Sequence, residues 1–165
     1  EVNGKVVEHL NLKMAPHEKA KIDPQALKAT KVTEEEIMQR PKQNLVFNKF
    51  RATLTKYVDR FDRGDKIYLI GFNNLAFDND FLSMWFDLNN DSFFPAWFWS
   101  GGPDVAALAA EYLIDRRQNM PNFKLRTVAQ TVGIDVDYDK LHDAEYDIDL
   151  TYQVYNIVTG RQIEL

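Results

Sequence analysis

Two spacings of apolar residues share this chain, one with a period of two and one with a period of three to four. Over residues 6–14 apolar and polar positions alternate. Leu10, Leu12 and Met14 fall on one side and His9, Asn11 and Lys13 on the other, which predicts a strand closed by Pro16. The stretch "TEEEIMQRP" carries a capping box in Thr33 and Glu36, and Pro41 ends that short helix. Phe47, Phe50, Leu54, Tyr57 and Phe61 then recur at helical spacing and predict a longer helix closed by "DRGD". "KIYLIGF" is short, apolar and flanked by turn residues, so it reads as a buried strand. It leads into a helix starting near Ala76. "AWFW" reads as a further strand, "DVAALAAEYLI" as a helix and "KLRTVAQTVGI" as a helix stopped by Gly133. A final helix runs from Ala144 to Thr159, with Gly160 just past its end.

Two acids interrupt this pattern. With a helix starting near Ala76, Phe81, Leu82, Trp85 and Asn89 lie within roughly 60° of Asp78 on the helical wheel, which places a carboxylate on the face expected to be buried. Asp147 repeats the arrangement in "LHDAEYDIDLTYQVYNIV", sharing its stripe with Leu150, Thr151, Val154 and Val158. An unpaired buried carboxylate costs several kcal/mol (roughly 3–5). Cationic partners, protonation or a metal ion could compensate, and if the two acids converge a divalent cation is the natural choice.

Composition narrows the setting. With 165 residues, 45% of them hydrophobic, the chain is expected to form a single domain with a real core. It holds no cysteine, so disulfides and thiolate metal sites are excluded, which suits a reducing, cytoplasmic compartment. No apolar run is long enough to span a membrane. A net charge of -5 argues against broad capture of duplex nucleic acid. It is compatible with an enzyme that grips one strand end through bound cations, because those ions reverse the local sign.

Each feature also has a plainer reading. Asp78 by itself reads as a first-turn acid favoured by the helix dipole, and Asp143 as an N-cap. His142 alone reads as a surface or capping histidine, and His9 and His17 have no supporting pattern. Trp85, Phe93, Phe94, Trp97, Phe98 and Trp99 read as core rather than as a base-stacking platform. The run Glu34 to Glu36 reads as a solvated helix start.

Taken together, "FNNLAFDNDFL" resembles the second motif, and "HDAEYD" the third, of the DEDD exonuclease superfamily in its histidine-type branch. That branch includes proofreading subunits of bacterial replicative polymerases and ribonuclease T. Its third motif, His-x-Ala-x-x-Asp, is met by His142, Ala144 and Asp147, and Thr151 falls where the family often has a threonine. "PDVAALAAEYL" and "NFKLRTVAQTVGI" resemble the family's connecting helices. The resemblance implies an α/β, RNase H-like exonuclease fold, with a mixed central sheet flanked by helices. It also implies removal of nucleotides from the 3′ end of single-stranded nucleic acid, and leaves association with a polymerase open. Two Mg²⁺ or Mn²⁺ ions about 4 Å apart would clamp the scissile phosphate. Asp147 would ligate the nucleophile-side ion and Asp78 the second, partly through water, with His142 as general base. A histidine suits that role because the unperturbed side chain is largely neutral at working pH.

Two departures bear on these expectations. The second motif usually has His-Asn where this chain has Asn73 and Asn74, but that histidine is not the catalytic one. More important, the family's first motif, Asp-x-Glu on the first strand, supplies two of the four metal-binding acids, and no Asp-x-Glu on a predicted strand occurs here. "EVNG" resembles the family's Glu-Thr-Thr-Gly only loosely, and a chain opening on Glu1 suggests that the leading strands, with that motif, lie upstream. Two alternatives remain: a noncatalytic RNase H-like module that binds nucleic acid, and a metal-dependent phosphoesterase acting on small nucleotides or oligonucleotides.

Overall fold

The computed structural model describes residues 1–161, which divide between two compact units, Glu1–Lys56 and the remainder of the chain from Tyr57. Helix accounts for 47% of the structure. Among the described residues the only β pairing consists of isolated bridges, Val2 with Lys5, Ile67 with Phe98, and Gly71 with Asp104. The expected α/β architecture with a mixed central sheet is therefore corrected to a helical one.

In the first unit, Asn3 and Gly4 both adopt left-handed backbone conformations and form a two-residue turn. Val2 and Lys5 exchange both backbone hydrogen bonds across it, at 2.9 and 3.0 Å. Residues 6–14 follow without forming a strand, although their alternation predicts one. Alternation makes one face apolar but supplies no partner for the backbone. In this segment Val6, Val7 and Leu10 remain exposed, while Leu12 and Met14 are half-buried. Helix α1, Pro24–Thr30, begins at an Asp23 N-cap and ends at left-handed Lys31. Helix α2, Glu34–Met38, has the expected capping box, with Glu36 accepting from the Thr33 N–H and the Thr33 hydroxyl accepting from the Glu36 N–H. Helix α3, Gln43–Leu54, buries Val46, Phe47 and Leu54. It stops before Tyr57 and Phe61, both predicted on its apolar face, and Phe61 is 81% exposed.

In the second unit, residues 66–72 run beside residues 97–104 without forming a continuous ladder. Ile67 exchanges hydrogen bonds with Trp97 and Trp99, and the Gly71 carbonyl accepts from Val105 at 2.8 Å. "AWFW" accordingly splits between helix and extended chain. Helix α5, Phe94–Trp97, takes its first part, and Phe98 makes the bridge to Ile67. Between the two bridges the chain passes through left-handed Gly101 and buried Gly102, and among the described residues no bridge forms there.

Helix α4 is Asp78–Leu88, preceded by a short 3₁₀ turn at Asn74–Ala76. Helices α6, Val105–Tyr112, α7, Leu125–Thr131, and α8, Ala144–Thr159, form the main core. Val105, Ala109 and Leu113 meet Val128 and Ala129 there, together with Val136, Leu150, Val154 and Tyr155. All three helices match the sequence reading, and Gly160 caps α8 in a left-handed conformation. Among the described residues no helix is long and apolar enough to cross a membrane.

Gly102 tests the close approach of the two extended segments, because a Cβ at this position would run into the Leu69 carbonyl. The Gly102→Ala variant should lose about 1–3 kcal/mol of stability in urea denaturation. An unchanged midpoint would show that this approach is not tightly packed.

Candidate active site

The third motif sits where the chain enters α8. Asp143 caps the helix, its Oδ1 accepting from the Glu145 and Tyr146 N–H groups at 3.0 and 3.2 Å, as expected of an N-cap. Leu150 and Val154 are fully buried against α6 and α7, so Asp147, one turn earlier, is drawn part-way into the protein and is half-buried. Thr151 donates its hydroxyl hydrogen to the Asp147 carbonyl at 2.7 Å. The nearby His142, through its ring and its backbone N–H, favours the ionised form of Asp147. Desolvation is nevertheless the larger effect, and with a smaller contribution from Asp143 it raises the pKa of Asp147 above the usual aspartate value. His142 is exposed, with a left-handed backbone at φ 72°, a conformation uncommon for a residue with a side chain. The structure thus brings His142 and Asp147 together.

The second motif is anchored to the same core by different means. Phe72 packs against the cluster formed by α6, α7 and α8. Asp104 accepts two hydrogen bonds through one oxygen: from Ala106 N–H at 2.8 Å, capping α6, and from Asn73 N–H at 2.9 Å. Asn73 is left-handed and turns the chain toward α4. Asn74, only 4% exposed, donates from Nδ2 to the Leu69 carbonyl at 3.3 Å and to Asn79 Oδ1 at 3.1 Å. Neither Asp104 nor Asn74 was given a role on the sequence alone. The legible signal for Asp104 was its place as an acid immediately before "VAALAAEY".

Asp78 is the first residue of α4 and is exposed, which corrects the expectation that it lies on the buried face. Further along α4, Leu82, Trp85 and Asn89 of the same stripe are half-buried and Phe86 is fully buried, so the exposure of Asp78 reflects its place at the helix start. Phe77, Phe81, Met84 and Leu88 point outward, and the Phe77 and Phe81 rings meet at 4.7 Å between centroids. Among the named aromatics, Trp97 and Phe98 are core, whereas Phe93 and Trp99 are exposed, contrary to their reading as core. His9 and His17 lie in the first unit, and His17 Nδ1 accepts from the Lys19 N–H.

The donor chemistry matches a hard divalent ion in type but is short in number. Asp78 and Asp147 are carboxylates, and among the described residues neither is ion-paired with lysine or arginine. The raised pKa of Asp147 indicates that its charge is poorly compensated within the protein. Among the described residues, however, no group of three or more His, Cys, Asp or Glu side chains is placed to hold a metal.

No protein-family model and no curated protein matches the chain. The fold is similar to that of the E. coli ExoI–ssDNA complex in its zinc-bound form, with a TM-score of 0.62 and 20% sequence identity. The match covers 85% of this chain and 30% of that one, so the chain spans less than a third of the length of this neighbour. The likeness lies in the path of the backbone.

Two substitutions separate local stability from chemistry. Because burial raises the pKa of Asp147, the native state holds its proton more tightly than the unfolded chain does. Charging the group then costs stability as pH rises through the folded value, and the cost vanishes below the unfolded value of about 3.9. Asp147→Asn should therefore be as stable as the parent or more so at pH 7 in urea denaturation, with any advantage shrinking toward pH 4. A parent clearly more stable at pH 7 would indicate a structural ion pair. Asp104→Ala, which removes both a helix cap and the tether on Asn73, should cost about 1–2 kcal/mol in the same measurement.

Proposed function

We propose that the chain forms part of a metal-dependent 3′-5′ exonuclease of the DEDD superfamily, in its histidine-type branch, acting on the 3′ end of single-stranded nucleic acid. The observation that carries this reading is the fold shared with ExoI, a protein seen in complex with ssDNA, over 85% of the chain. The nearness of His142 to Asp147 at the start of α8 supports it, because the reaction needs a proton acceptor beside a carboxylate.

In this reading Asp78 and Asp147 would hold divalent ions, Mg²⁺ or Mn²⁺. When bound, these ions supply charge to stabilise the scissile phosphate and lower the pKa of a water molecule. Two carboxylates leave such ions short of protein oxygens, so the reading requires further acidic ligands. Asp147 offers a partly desolvated carboxylate near the start of α8, close to His142. Asp78 stands at the open N-terminus of α4, where exposure leaves room for a ligand. His142, exposed on the loop before α8, accepts the proton of the attacking water.

A second reading, a noncatalytic module that binds nucleic acid, is favoured by the missing three-donor group among the described residues. A 5′-labelled single-stranded DNA, offered to the full-length protein so that any further acidic ligands are present, distinguishes the two. The first reading expects stepwise shortening from the 3′ end with Mg²⁺ or Mn²⁺ and none in EDTA. Asp78→Asn or Asp147→Asn should abolish it, and His142→Ala should slow it about 10²- to 10⁴-fold while DNA binding persists. Binding without cleavage in either metal would overturn the exonuclease reading in favour of the second. Activity confined to dinucleotides across a length series would instead identify a small-nucleotide phosphoesterase.

A further inference from the structure

We propose that Tyr146 is a positioning residue, whose hydroxyl holds the loop carrying His142 in place; its catalytic consequence rests on the exonuclease reading above. The Tyr146 ring is half-buried and packs against the core of α6, α7 and α8, while its hydroxyl oxygen accepts the Asp137 N–H at 2.7 Å. From Asp137 the bonds continue around the loop. The Asp137 carbonyl accepts from Lys140 N–H at 3.3 Å, and the Lys140 carbonyl accepts from Asp143 N–H at 3.1 Å. Asp143 Oδ1 in turn accepts from the Tyr146 N–H at 3.2 Å. The circuit therefore begins and ends on one residue, and His142 lies inside it.

Other contacts stiffen this ring without replacing its closure. Asp137 Oδ1 accepts from Asp139 N–H at 3.1 Å, and Oδ2 pairs with Lys140 Nζ at 3.2 Å. Leu141, next to His142, packs against the same core. On the other flank the Tyr138 hydroxyl accepts from Gln130 Nε2 of α7 at 2.6 Å. The Tyr146 hydroxyl links the far side of the loop directly to the helix that carries Asp147. The left-handed backbone of His142 is a conformation that a free loop would rarely keep, so an outside restraint has a clear physical task.

Tyr146→Phe preserves the packed ring and deletes only the acceptor oxygen. The variant should remain folded, and amide hydrogen exchange at residues 137–143 should become about five- to tenfold faster, the range expected for loss of one hydrogen bond from a locally opening segment. Turnover of single-stranded DNA should fall about tenfold with KM unchanged, because misplacing a proton acceptor affects the reacting geometry rather than substrate binding. Unchanged exchange at residues 137–143 would overturn the proposal, as would faster exchange with undiminished kcat. A parent protein without nuclease activity would count against the exonuclease reading alone, and the exchange measurement would still decide whether Tyr146 restrains the loop.

Discussion

The burial of one face of α8 against α6 and α7 is the constraint on which the second unit depends. Leu150 and Val154 are wholly enclosed there, among Val105, Ala109 and Val128. Their burial fixes the rotation of α8, and that rotation sets how far Asp147 is withdrawn from water. The carboxylate is half-buried because its neighbours one turn later are completely buried. Its raised proton affinity is a consequence of packing rather than of a separately built acidic pocket.

The same core gathers segments distant in sequence. Phe72 and Leu141 both pack against it, the first just ahead of α4 and the second just ahead of α8. Asp104 adds a polar link, since one carboxylate oxygen serves both the N-terminus of α6 and the backbone of Asn73. This dual use is economical, because a helix N-terminus already presents unpaired N–H groups and favours negative charge. The turn leading to Asp78 and the loop leading to Asp147 are thereby referred to a single packed unit. An exonuclease built on this frame would use a rigid helical core to position residues that themselves lie at helix starts and on exposed loops.

Charge and exposure divide the candidate residues into two kinds. Asp147 is half-buried and lies near enough to His142 to be influenced by it, so substitution of His142 changes the setting of Asp147 as well as the chemistry. Asp78 is exposed at a helix N-terminus, a place where the dipole alone suffices to explain an acid. The metal-ligand role proposed for Asp78 rests on the resemblance of its motif, whereas that proposed for Asp147 also has a local electrostatic basis.

The sequence by itself determined the helices whose signals are local. Thr33 and Glu36 cap α2 reciprocally, Asp143 and Gly160 bracket α8, and the apolar spacing of Leu150 and Val154 identifies its inward face. Such elements satisfy most backbone hydrogen bonds within themselves, so a short window of sequence contains most of the information. Tertiary structure alone decided the rest. Residues 6–14 alternate as a strand would, and residues 66–72 are as apolar as a buried one, yet neither becomes a continuous strand. A strand exists only when another segment takes up its N–H and C=O groups, and partner, register and length of pairing are properties of distant chain. The exposure of Asp78 was hidden for a related reason. The wheel groups Asp78 with Leu82, Trp85 and Asn89, which are half-buried, but it does not show that the packing covering them stops short of the first residue of α4.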